Sequence, residues 1–110
     1  MSTVFVTVHG KVQQVMFRQT IMRAALKRGL TAGATNVRSD HNRVDIALQG
    51  DPAKIQEIVD GLKSGKKLNS WGAQCENVQI TETGKDPLQH EVNTDNVDKF
   101  RWKKGVQFYL

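Results

Sequence analysis

The hydrophobic period of this chain changes abruptly between residues 10 and 17. Val4, Val6 and Val8 alternate with Thr3, Phe5, Thr7 and His9, the pattern of a strand with one buried face. From Phe17 the period is helical: Phe17, Ile21, Met22, Ala25 and Leu26 recur at three- and four-residue spacing, and Gly29 stands where a C-terminal cap belongs. Gly10 is read as the end of the strand, which leaves Lys11 to Met16 as a tight loop. A valine face and a helical apolar stripe cannot bury each other completely, so the unit calls for more strands.

Those strands are legible downstream. Leu30 to Val37 is extended in character, and Ser39-Asp40-His41-Asn42 is a cluster of turn formers. Val44, Ile46 and Leu48 alternate with Asp45, Ala47 and Gln49, and the two runs are expected to pair as a hairpin. Asp51-Pro52 opens a second helix with a capping carboxylate and a first-turn proline, and Ile55, Ile58, Val59 and Leu62 give it one apolar stripe. A strand is expected from Ala73 to Thr81, with Val78 and Ile80 inward. Glu82 to Lys104 is polar and aperiodic, and Val106, Phe108 and Leu110 alternate again. The order βαββαβ predicts an α+β fold, the ferredoxin-like split βαβ arrangement: an antiparallel sheet with two helices on one face, plus a C-terminal strand. One domain over 1–110 is expected, with its core at about 1–83, a long loop over 84–104 and a terminal strand at 105–110.

Composition narrows the function classes. With 110 residues, 38% hydrophobic, and a mean hydropathy of −0.49, the chain has no apolar run near the about 18 residues of a membrane-spanning helix. A cytoplasmic protein, expected to be a monomer, is the simplest reading. Cys75 is the single cysteine, which rules out an intrachain disulfide and a thiolate metal cluster and is read as an inert thiol. His9, His41 and His90 lack metal-ligand spacing, so neither metal nor cofactor is expected. The net charge of +5 is unevenly held: residues 1–50 carry seven basic and two acidic side chains, and residues 51–110 carry nine of each. A positive first half favours an anionic partner.

The stretch from Gly10 to Arg18 is the best place for one. A loop after a strand can turn backbone N–H groups inward, and the following helix start adds unpaired donors and a positive dipole end. Arg18 brings a planar, permanently charged fork suited to two phosphate oxygens. Lys11, Val12, Gln13, Gln14, Val15, Met16 and Phe17 therefore form a candidate phosphate-binding loop, with Arg18 closing it.

The run Gly10-Lys11-Val12-Gln13-Gln14-Val15-Met16-Phe17-Arg18 resembles the acylphosphatase signature Gly-x-Val-Gln-Gly-Val-x-Phe-Arg. Gly29-Leu30, Asn36 and Val44 through Gln49-Gly50 fall in the order of that family's second motif, and the resemblance spans roughly residues 4 to 80. It implies the ferredoxin-like fold and metal-independent hydrolysis of the carboxyl–phosphate bond of small acyl phosphates, with inorganic phosphate as a product. It also implies that Arg18 and Asn36 are the catalytic side chains, and that no covalent enzyme intermediate forms. A neutral asparagine can orient water for attack on phosphorus without acting as a base, while loop amides and Arg18 hold the phosphoryl oxygens.

Three departures bear on that expectation. Gln14 stands at the family's second loop glycine, and a positive φ there costs on the order of 1 kcal/mol or more. Ala32-Gly33-Ala34 replaces glycine, aromatic and valine ahead of Asn36. The hairpin before Gly50 and the tail after Ile80 are both longer than the family's. Reduced activity is the expected consequence of Gln14. The alternative reading is a non-catalytic domain of the same fold that binds an anion or nucleic acid. Nucleic-acid binding on the sheet wants surface aromatics, and Phe5 is the one candidate on the first strand, with none between Val44 and Gln49.

Overall fold

The computed structural model describes residues 2–100 and 105–110. Its elements are β1 (Ser2–Lys11), α1 (Phe17–Lys27), β2 (Thr31–Asn36), β3 (Arg43–Gly50), α2 (Pro52–Lys63), β4 (Gln74–Thr81) and a short β5 (Val92–Asn93). The sheet runs β4-β1-β3-β2-β5, and all its pairs are antiparallel. Two helices on an antiparallel sheet are the expected α+β, ferredoxin-like fold.

Register follows from the period-two patterns. Val4, Val6 and Val8 lie opposite Leu48, Ile46 and Val44, and Ala32 and Ala34 continue the rows through Leu48 and Ile46. This is the face on which the helices lie. Phe17, Ile21 and Met22 of α1 and Ile58 and Leu62 of α2 are fully buried, each contributing about 1.5–3 kcal/mol by leaving water. Two inward assignments change: Leu26 and Ile80 are exposed, because each falls at the margin of its element beyond the reach of the opposing layer.

Helix ends follow their local chemistry. Asp51 accepts a hydrogen bond from the Ala53 N–H at 2.8 Å, and Pro52 occupies the first turn of α2. At the end of α1, Gly29 takes φ 71°. Its N–H donates to Leu26 and that of Leu30 to Ala25, the paired bonds of a Schellman cap. Gly10 does not end β1. The strand continues to Lys11 through a register shift between His9 and Gly10, and a Cβ at Gly10 would lie 2.5 Å from the Gln74 carbonyl oxygen. Glycine here permits a bulge, and the loop begins one residue later.

The segment expected to be a long loop is more ordered than its composition indicates. After β4 it crosses the sheet face opposite the helices. A Cβ at Gly84 would lie 2.7 Å from the Phe5 ring, and one at Gly33 would lie 2.0 Å from the Pro87 carbonyl oxygen. A 3-10 turn at Pro87–Gln89 therefore lies against β2 at Gly33, where the family pattern carries an aromatic. His90 Nδ1 is 3.0 Å from Thr35 Oγ1. β5 then pairs with the outer edge of β2, Gly33 opposite Asn93 and Ala34 opposite Val92. Beyond it, Val97 is buried in the core and accepts a hydrogen bond from Gln19 of α1.

The expected terminal strand at 105–110 does not join the sheet. Phe108 makes one antiparallel bridge with Asn69, and Tyr109 donates its N–H to the Leu68 carbonyl. The partner is the connection between α2 and β4. Leu110 packs on the core there, close enough to Gly61 that a Cβ would meet its Cδ1 at 2.3 Å. The alternation therefore reflects burial over α2. The last part of the expected loop, 101–104, lies outside the described residues.

Candidate active site

The loop after β1 is held in shape from both sides by side-chain amides. Gln13 Nε2 donates to the carbonyls of Arg43 at 2.8 Å, Asp40 at 3.0 Å and Val37 at 3.2 Å, fastening the loop to the β2–β3 hairpin. On the other side, fully buried Asn69 donates through Nδ2 to the Val15 carbonyl and to Thr20 Oγ1, both at 2.8 Å. Its Oδ1 accepts from the N–H groups of Trp71 and Ala73. Val12 is buried and Val15 packs against the core. With these side chains committed to the protein, the loop can offer a ligand its backbone.

That backbone is twice left-handed. Gln14 has φ 64° and Met16 φ 59°, a conformation that costs a non-glycine residue about 1–2 kcal/mol. The glutamine, at the position of the motif's second glycine, thus takes a conformation that glycine adopts without that cost. Among the described residues, the N–H groups of Gln13, Gln14, Val15 and Met16 donate to no protein acceptor. The first bond of α1 runs from the Thr20 N–H to the Met16 carbonyl, which leaves the N–H groups of Phe17, Arg18 and Gln19 without an intrahelical acceptor. Met16 caps the helix with no side-chain bond, and the first turn carries no acidic residue. The result is a concave set of N–H donors at a positive helix end, the chemistry of an anion site.

A cavity of about 200 Å³ opens on this surface, lined by Gln14, Met16, Phe17, Arg18 and Asn36 among others. It adjoins a polar groove of about 650 Å³ that shares Gln14 and Asn36 and adds Gln13, Arg38 and His41. Of the residues expected at the site, Val12, Gln14, Met16, Phe17, Arg18 and Asn36 line the cavity and Gln13 the groove. Lys11 and Val15 line neither. The Lys11 ammonium instead lies toward Gly72, where a Cβ would sit 3.3 Å from it.

Asn36 sits at the end of β2, opposite Val44. Its Oδ1 is buried and has no hydrogen-bond partner among the described residues, an unmet acceptor on a residue that lines both cavities. Arg18 projects from the first turn of α1 and is already engaged: its Nη1 lies 2.6 Å from Glu91 Oε1. Glu91 also lines the groove. Glu91 and Asn69 were not among the residues expected at the site, and Gln13 was expected as a loop residue, not as the clamp that fastens it. Glu91 lies in an aperiodic stretch, and Gln13 and Asn69 act through backbone groups that only the folded chain assembles.

The chain matches the acylphosphatase family model over residues 4–95. It is 37% identical over 65 residues to an acylphosphatase of Geobacillus kaustophilus, covering 59% of this chain and 67% of that protein. Against one of Pyrobaculum aerophilum it is 29% identical over 80 residues, covering 73% and 79%. The crystal structure of acylphosphatase from Bacillus subtilis superposes with a TM-score of 0.62 at 27% identity, covering 74% of this chain and 83% of that one. An acylphosphatase structure from Coxiella burnetii gives 0.62 at 29% identity, covering 76% and 81%. With a family model spanning most of its length, and relatives that share both its sequence and its fold, this chain belongs to the acylphosphatase family.

Proposed function

We propose that the protein hydrolyses the carboxyl–phosphate bond of small acyl phosphates, releasing a carboxylate and inorganic phosphate. The observation that carries this reading is the convergence of Arg18, Asn36 and the unpaired loop amides on one cavity. The phosphoryl oxygens take the amides of the Gln13–Arg18 stretch and the Arg18 guanidinium, which meet negative charge as it builds on them. The Asn36 amide, which lines the same cavity, hydrogen-bonds a water molecule and aims its oxygen at phosphorus. As that oxygen bonds to phosphorus, the bond from phosphorus to the acyl oxygen breaks and its electron pair leaves with the carboxylate. The water's proton passes to the phosphate product. A carboxylate is a good leaving group, so no strong general acid is required, and positioning with charge stabilisation carries the reaction. The charge is met by N–H donors and a guanidinium, so the proposed chemistry needs no metal.

The test is hydrolysis of benzoyl phosphate in the presence of a chelator. Arg18→Ala and Asn36→Ala are each expected to reduce kcat/KM by about 100-fold or more, the scale of losing one positioned charge-stabilising group. Activity that survives both substitutions overturns the site assignment.

A further inference from the structure

Glu91 reaches Arg18 from a backbone that is pinned on every side. Its N–H donates to Thr35 Oγ1 at 3.0 Å and its carbonyl accepts from Asn96 Nδ2 at 3.2 Å. Its neighbours His90 and Val92 are buried, and Val92 is paired with Ala34 of β2. The held backbone keeps the carboxylate within reach of Arg18, 2.6 Å from its Nη1.

Resting on the reading of Arg18 as the phosphoryl-binding arginine, we infer that Glu91 is an internal competitor for that arginine, a product-releasing carboxylate. An anion that takes the Nη1 donor of Arg18 must first displace Glu91 from it. Substrate and phosphate are both weakened by that step, and by the same factor, because it precedes either. After phosphorus–oxygen cleavage, the return of Glu91 to Arg18 replaces the phosphate oxygen that leaves. The loop amides are untouched by Glu91, so a phosphoryl group still gains contacts that the carboxylate does not occupy. The pair is partly exposed, with Arg18 at 26% and Glu91 at 46%, so the competition is modest, a factor of about 3–5 in affinity.

The experiment is titration of inorganic phosphate, followed by phosphorus NMR, into the wild type, Glu91→Gln, Glu91→Asp and Arg18→Ala, with KM for benzoyl phosphate measured on the first three. Glu91→Gln is expected to lower the phosphate Kd by about 3–5-fold and KM by the same factor, without raising kcat. Glu91→Asp separates competition from simple repulsion. Its shorter side chain on the same pinned backbone keeps the charge nearby but falls short of Nη1, so it is expected to behave like Gln. An Asp variant that behaves like wild type overturns the inference in favour of field repulsion. Unchanged or weaker phosphate binding in Glu91→Gln overturns it too, and shows a carboxylate that supports Arg18. Either failure leaves phosphate binding that depends on Arg18 intact, whereas no phosphate binding by the wild type overturns the anion site, and this inference with it.

Discussion

Gln13 Nε2 lies 2.8 Å from the carbonyl oxygen of Arg43, which joins the candidate anion loop to the strand pair carrying Asn36. The carbonyls of Val37 and Asp40 receive the same amide, and all three also accept backbone N–H groups within the hairpin. Gln13→Leu removes an additional donor without orphaning an acceptor. A loss of about 1–2 kcal/mol in urea denaturation is expected, together with weaker phosphate binding as Asn36 and the loop lose their common anchor.

Gln14 already holds the left-handed conformation its position requires, so replacement by glycine relieves strain without remaking the loop. Stability is expected to rise by about 0.5–1 kcal/mol, because the glycine's freedom in the unfolded chain takes back part of the gain. The matching expectation for kcat/KM is a rise of under about 10-fold, the scale of that relief. A far larger rise would mean that the glutamine side chain, which lines both cavities, obstructs the substrate.

Gly33→Ala places a methyl group where the Pro87 carbonyl oxygen lies 2.0 Å and the His90 Cβ 2.7 Å away, atoms that cannot turn aside without moving the backbone. The 3-10 turn and β5 are expected to lift from β2, at a cost of at least about 2 kcal/mol. Limited proteolysis checks this: new cleavage within 85–100 should precede global unfolding, and the phosphate affinity should move toward that of Glu91→Gln.

Burial under the sheet pulls the His90 imidazole below its ordinary pKa, outweighing its hydrogen bond to the Lys85 backbone and the pull of the Asp45 carboxylate. The unfolded chain therefore binds this proton first as pH falls through about 6.5. The contribution of neutral His90 to stability is complete above that pH and declines below it, levelling off once the folded-state value is passed. Urea midpoints between pH 8 and 5 should show this loss in the wild type, and His90→Gln should flatten it.

Cys75 is buried, and desolvation pushes its thiol up to about 12. Iodoacetamide at pH 8 should leave the native protein unmodified and label it fully in denaturant, since the thiolate is the nucleophile.

The parts of this structure legible beforehand are those in which several residues repeat one relation to a single layer. Val4, Val6 and Val8 against Ile46 and Leu48, and Ile55 through Leu62 on α2, each carry a period long enough to read. The Gly10–Arg18 motif was legible because the backbone there needs particular residue types. The tail was not. β5 has two residues and its flanking turn three, too few for any period, and their placement depends on the absence of a side chain at Gly33, far away in the chain. That Arg18 and Asn36 would face one cavity could be expected from the motif, but the Arg18–Glu91 pair could not, since it forms between a helix start and a stretch whose path the sequence leaves open.

Covering β2 with β5 has a consequence outside catalysis. Thr31-Ala32-Gly33-Ala34-Thr35-Asn36 is a run of small side chains at what would otherwise be the rim of the sheet, with bare amides and carbonyls able to template a foreign strand. Asn93 and Val92 pair with that rim at Gly33 and Ala34. The same crossing segment that brings an acidic group to the arginine thus also leaves fewer of those edge groups free to pair with a foreign strand.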